Sequence, residues 1–189
     1  MHMMEMMDHI VAHSLQVCRV ALFLSDSLEA NLNPDLVQAA ALLHDITKTR
    51  GIQTRENHAQ TGKQLLVDLG YPEVGIIVGQ HVLLDGHVTS NTPTEAEVVN
   101  YADKRVVHDK VATLAQRIEY IMGRYGTEPE RRGYIHVLRE RAKDLEDRLF
   151  RFCPFAPAEM EALLGPDTCS TELSDYCRIN STGKVATGH

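Results

Sequence analysis

From Met6 to Leu28, apolar residues recur at Ile10, Val17, Val20, Ala21, Leu24 and Leu28, the rhythm of one helix face rather than of a strand. Asn33-Pro34 then supplies a capping side chain and a residue whose fixed φ suits the first helical turn. The run it opens, Leu36-Val37 and Ala39 to Leu43, is apolar nearly all round, which predicts a helix at the centre of the core. Asp45 to Thr54, interrupted by Gly51, reads as a loop. A third helix is predicted from Arg55 to Leu69, stopped by Gly70 with Pro72 two residues later, and a fourth from Glu73 to Leu83. Asp85-Gly86 opens a polar loop that runs to Asn91. Thr92-Pro93-Thr94-Glu95 predicts the next helix start: a threonine cap, proline first and glutamate third. That helix carries Val98, Val99, Ala102, Val106 and Val107. Thr113 with Gln116 repeats the capping spacing, implying a break and restart after Lys110. Thr127 with Glu130 does so again, before a charged helix from Pro129 to Phe150.

Nowhere do two alternating stretches face each other across a hairpin turn, so the pattern predicts an all-α fold, a compact multi-helix bundle. Periodicity fades beyond Gly165. The expected organisation is one helical domain over residues 1–164 and a loose tail over 165–189.

Composition changes this picture little. The 189 residues are 43% hydrophobic and 24% charged, ordinary for a globular chain. A net charge of -7 speaks against a nucleic-acid surface, which needs a concentrated positive field. It leaves room for a small anionic substrate, since one cation reverses the potential of a pocket. No apolar run approaches the roughly 20 residues that span a bilayer. The Met-rich start has no basic residue before Arg19, unlike a signal peptide, so a cytoplasmic protein is expected. Cys18, Cys153, Cys169 and Cys177 form no CxxC pair and read as reduced, structural cysteines. Oligomeric state has no signature in the sequence.

The histidines change the picture more. His44-Asp45 ends the most apolar helix of the chain. A carboxylate at the mouth of a core helix is costly without compensation, and a helix C-terminus carries partial negative charge that favours a cation instead. A metal ion there removes both penalties. His13 lies mid-helix beside an apolar stripe, and Asp103 follows Val98, Val99 and Ala102 on another buried face. Two imidazoles and two carboxylates from separate helices suit a borderline-hard divalent cation, and helical bundles build metal sites in this way.

These segments in order resemble the HD-domain metal-dependent phosphohydrolases. The resemblance rests on His13-Ser14, on Ala41-Leu42-Leu43-His44-Asp45-Ile46-Thr47-Lys48, and on Glu56-Asn57-His58-Ala59 with Gly62; His81 and Tyr101-Ala102-Asp103-Lys104 complete it. It covers about residues 8–125. It implies a first metal held by His13, His44, Asp45 and Asp103, and a second held by His58 and His81 with Asp45 bridging. One or two divalent ions are therefore expected, among iron, manganese, cobalt, nickel, zinc and magnesium. Lys48 matches a lysine that follows the HD pair and would face a substrate phosphate. The implied activity is hydrolysis of a phosphomonoester, a nucleotide or a dinucleoside polyphosphate by a metal-activated water, with Asp45 and Lys48 as the catalytic residues. Thr47 departs from the family's usual glycine, and Gln80 stands where several subfamilies have a second histidine.

Gly70-Tyr71-Pro72 spells the tripeptide of the cyclic-dinucleotide phosphodiesterases, but it precedes His81 where theirs follows a double histidine. It reads as a helix stop. His2, His9, His87, His108, His136 and His189 default to structure or solvent; His108-Asp109, flanked by Lys104, Arg105 and Lys110, reads as surface. Arg131-Arg132 and Arg139 to Arg148 read as a solvated face. Three other readings share these features: a di-iron oxygenase, a non-catalytic nucleotide sensor and a purely structural helical protein.

Overall fold

A computed structural model describes residues 6–85 and 91–165. The expected tail beyond Gly165 with Cys169 and Cys177, most of the loop after Asp85, and His2, His87 and His189 lie outside the described residues. Among the described residues the fold is helical, apart from one small hairpin.

Helix α1 (Asp8–Ser27) buries Val17, Val20, Ala21 and Leu24 against α2 (Pro34–Leu43). Asn33 caps α2 by accepting from the N–H groups of Asp35 and Leu36, as its position before Pro34 predicts. A tight turn over residues 44–47 leads into α3 (Lys48–Thr54), then α4 (His58–Asp68) and α5 (Pro72–Gly79). Val98, Val99, Tyr101 and Ala102 of α6 (Glu95–Asp103) enter the same core. Two antiparallel dipeptides follow, β1 (Val106–Val107) and β2 (Lys110–Val111), then α7 (Leu114–Tyr125), α8 (Pro129–Leu149) and α9 (Met160–Leu164). Leu145, Leu149 and Met160 close one end of the core, while Leu114 and Ile118 of α7 pack with Ile135 and Ala142 of α8 in a satellite cluster.

Several sequence expectations need correction. Lys48 to Thr54 is helical, not loop. Gly51 is less a breaker than a contact point: a Cβ there would lie 3.1 Å from the Glu56 carbonyl and 3.2 Å from the His58 Cβ. The fourth helix ends at Gly79 rather than Leu83. Its Gly75 permits close packing on α4, since a Cβ would meet the Lys63 carbonyl at 2.8 Å. The cap of α6 is Thr94, not Thr92: the Thr94 Oγ1 accepts from the Glu97 N–H at 3.3 Å, and the Glu97 carboxylate returns to the Thr94 N–H at 2.9 Å. Val106 and Val107 belong to the hairpin, not to α6. Thr113 and Gln116 form their box as expected, whereas α8 is entered from Glu128 without a side-chain cap. No described helix is long and apolar enough to cross a membrane.

Candidate metal centre

The residues singled out in the sequence converge at helix ends. His44 is the C-cap of α2 and Asp45 follows it; Asp103 is the last residue of α6; His81 stands two residues beyond α5; His58 opens α4; His13 projects from the second turn of α1. Three helix C-termini, those of α2, α5 and α6, therefore face one spot. Their partial negative charge adds to that of two carboxylates, a field that favours a cation.

Ring orientation in this cluster is set by the backbone. His44 Nδ1 lies 2.7 Å from the Ala41 carbonyl, His81 Nδ1 2.7 Å from the Val78 carbonyl and His13 Nδ1 2.8 Å from the His108 carbonyl. A carbonyl only accepts, so each Nδ1 carries the proton and donates. In a neutral ring the lone pair is then on Nε2, and every Nε2 points inward. His44 Nε2 lies 3.3 Å from Asp45 Oδ2, His58 Nε2 3.3 Å and His81 Nε2 3.6 Å from Asp45 Oδ1. His58 and His81 bring their Nε2 atoms within 3.1 Å of each other, and His13 Nε2 meets Asp103 Oδ1 at 3.0 Å. Asp103 Oδ1 is also 3.9 Å from His44 Nε2.

Lone pairs aimed at anionic oxygens repel unless a cation lies between them. His44 Nε2 and Asp45 Oδ1 are in addition fully buried with no hydrogen-bond partner among the described residues. Leaving such atoms bare costs roughly 1–3 kcal/mol each. Two donor groups, His13 with His44 and Asp45, and Asp45 with His58 and His81, each bring their atoms within 4.8 Å of one another. Asp45 belongs to both. Imidazole and carboxylate donors fit a divalent cation of borderline hardness, so the residues present match the ion that the sequence implies.

Burial alone would push the carboxyl of Asp45 up, but a positive charge at His44, whether a proton or an ion on Nε2, together with the Lys48 ammonium outweighs it and holds Asp45 well below the usual carboxylate range. Asp103 is treated alike: burial raises it, while Arg117 and the same kind of charge at His13 pull it well below. Lys48 Nζ pairs with Asp45 Oδ2 at 2.7 Å, and Asp45 and Asp103 together raise its pKa against the opposing effect of burial.

Thr47, in the turn between α2 and α3, is buried and useful. Its hydroxyl donates to the His58 carbonyl at 2.8 Å and sits 2.9 Å from the Thr61 hydroxyl, tying the His44-Asp45 turn to the start of α4. Gln80 turns its side-chain amide to the Ile76 carbonyl and the Asp85 N–H, so it adds nothing to the donor set.

The cluster floors a cavity of about 430 Å³. Its lining also holds residues that sequence reasoning missed or misassigned. His108, read as surface, lines it and turns its carbonyl onto His13 from a left-handed backbone, φ 55°. His9 lines it too. Lys104 is buried, donating to the carbonyls of His81 and Asn100 and to Asn100 Oδ1 at 3.0, 3.1 and 2.8 Å; burial lowers its pKa to about 8. Arg117 reaches Asp103 Oδ1 at 3.3 Å from α7. The only signal for Lys104 was its place in Tyr101-Ala102-Asp103-Lys104, and for Arg117 one helical turn beyond the Thr113 cap.

The sequence pattern that defines the HD domain family matches residues 10–106. No curated protein and no solved structure matches the chain.

Proposed function

Since this chain belongs to the HD domain family, we propose that it is a divalent-metal-dependent phosphohydrolase acting on a small phosphorylated substrate: a phosphomonoester, a nucleotide or a dinucleoside polyphosphate. The observation that carries this reading is the inward convergence of four Nε2 atoms on two buried carboxylates, with His44 Nε2 and Asp45 Oδ1 bare, at the floor of a ligand-sized cavity.

His13, His44, Asp45 and Asp103 would hold one ion. Asp45, His58 and His81 would hold a second. A bound divalent ion supplies Lewis acidity, making water more acidic and offsetting charge on phosphoryl oxygens.

The chain's own residues do the rest. Backbone carbonyls at Ala41, Val78 and His108 fix the tautomers of His44, His81 and His13, so three of the four donor nitrogens are in place before any ligand arrives. Lys48 Nζ, one-third exposed and hydrogen-bonded to Asp45, presents its remaining N–H donors to the cavity, where a phosphate oxygen accepts them. Asp45 and Asp103 act as acceptors that orient water. No serine or cysteine nucleophile lines the cavity among the described residues, consistent with direct attack by water.

Elemental analysis of the purified protein, with a phosphate-release screen over monoesters, nucleotides and dinucleoside polyphosphates, tests this. Metal at one or two equivalents with phosphate release is the expected result. Iron with oxygen uptake and no phosphate would replace it with an oxidative enzyme. Nucleotide binding without turnover across several metals would replace it with a sensor.

A further inference from the structure

Helix α7 brings a second kind of chemistry to the same cavity. Thr113 and Gln116 lock its first turn, and Leu114 and Ile118 bury its inner face against α8. Arg117 sits between those anchors, its N–H donating to the Thr113 carbonyl at 3.0 Å, so its side chain leaves a fixed turn rather than a fraying end. The side chain is only 13% exposed and lines the cavity with Asp45, Lys48 and His81.

A guanidinium carries five N–H donors in a rigid fork. Arg117 commits Nη2 to Asp103, but its Nε is buried and has no partner among the described residues. A charged donor kept bare on a packed helix is preorganised for an acceptor not yet present.

The charge of the cavity says what kind. Its lining carries two carboxylates, Asp45 and Asp103, against four basic side chains, Lys48, Lys104, Arg117 and Arg124. A hollow made for divalent cations alone would carry an excess of acid. This one has the reverse, in a chain whose net charge is -7. Lys48 and Arg117 enter from different elements, and each is already tied to one of the carboxylates. A planar fork matches two oxygens of a tetrahedral oxyanion, which a point-charge lysine does not.

We infer that Arg117 is a substrate-binding residue that grips a phosphate dianion between α7 and the Asp45–Lys48 turn. The inference rests on the phosphohydrolase reading, and it places part of the site outside the matched residues 10–106.

The competing role is orientation of Asp103 alone. Inorganic phosphate binding to the manganese-loaded full chain, measured by calorimetry, separates the two, with metal content determined for each protein. Arg117→Ala should keep its metal and bind phosphate at least tenfold more weakly, on the order of one charge-assisted hydrogen bond. Arg117→Lys should fall between, and Arg131→Ala, on the exposed face of α8, should match the parent. An Arg117→Ala protein with full metal and undiminished phosphate affinity overturns the assignment and leaves the phosphohydrolase reading intact. Loss of metal in that variant overturns it as well, since Arg117 then serves Asp103. If the alanine variant does not fold, the lysine variant decides: parent-like affinity overturns the assignment. A loaded parent protein that binds no phosphate overturns both readings.

Discussion

Two polar clusters are buried around α6 and the turn after it, and they treat their charges differently. Tyr101 and Arg105 serve one with Glu146 of α8; Asp103 and Lys104 serve the other with His13 and His81. In the first, Arg105 Nη1 donates to the Tyr101 hydroxyl at 2.6 Å, which donates to Glu146 Oε2 at 2.6 Å. Arg105 Nε and Nη2 reach the carbonyls of Ala112 and Pro157, and Lys143 covers Glu146 Oε1. Burial raises the Tyr101 phenol far above its ordinary range, so it stays a neutral donor. Each of these groups has a protein partner. Around Asp45, equally buried groups leave His44 Nε2 and Asp45 Oδ1 without one. Burial of charge is common to the two clusters; incompleteness belongs to one, and it is the incompleteness that marks a ligand site.

The sharpest way to break this contrast is Asp45→Ala, the residue shared by both donor groups. It should abolish metal retention, by elemental analysis, and reduce phosphate release to background; retained turnover would sink the catalytic assignment. Next comes Glu146→Ala, which strands Arg105 and Tyr101 and should cost roughly 3 kcal/mol in a denaturant titration while leaving metal content unchanged. Metal loss in that variant would mean the clusters are not independent. Chelation should do the converse, lowering Tm by about 5 °C or more, the equivalent of about 2.7 kcal/mol at a hundredfold excess over Kd. An unshifted melting curve would favour a purely structural protein. The smallest effect is that of Thr94→Ala, about 1 kcal/mol for a lost cap, with metal and turnover at parent levels.

How much of this was legible depends on the physics that speaks locally. Asn33 before Pro34 and Thr113 before Gln116 announce helix starts because a cap is a contact within four residues. Thr92 and Thr94 each have glutamate three residues on, so spacing alone could not choose. Tertiary contacts choose: Arg148 of α8 takes Glu97 Oε1 at 2.6 Å, while Glu95 reaches the Asn33 N–H at 2.9 Å. Arg148, read as part of a solvated face, is for the same reason an inter-helix tie. Helix α3 was hidden because it buries none of its residues and so shows no apolar period. The donor residues were visible through their order along the chain. Lys104 and His108 were not, because a charge run looks solvated until the elements that cover it are placed, and Arg117 was not, because a lone arginine on a helix carries no local sign of what it faces.

The left-handed residue of the hairpin has a consequence for which substitutions the site tolerates. What His108 gives His13 is a main-chain oxygen, so the ring 95 positions away is held by a shape of the chain rather than by an imidazole. Asparagine or glycine at 108 reproduces that shape at little cost, whereas valine or isoleucine resists it. Drift at this position should therefore track backbone preference rather than side-chain chemistry.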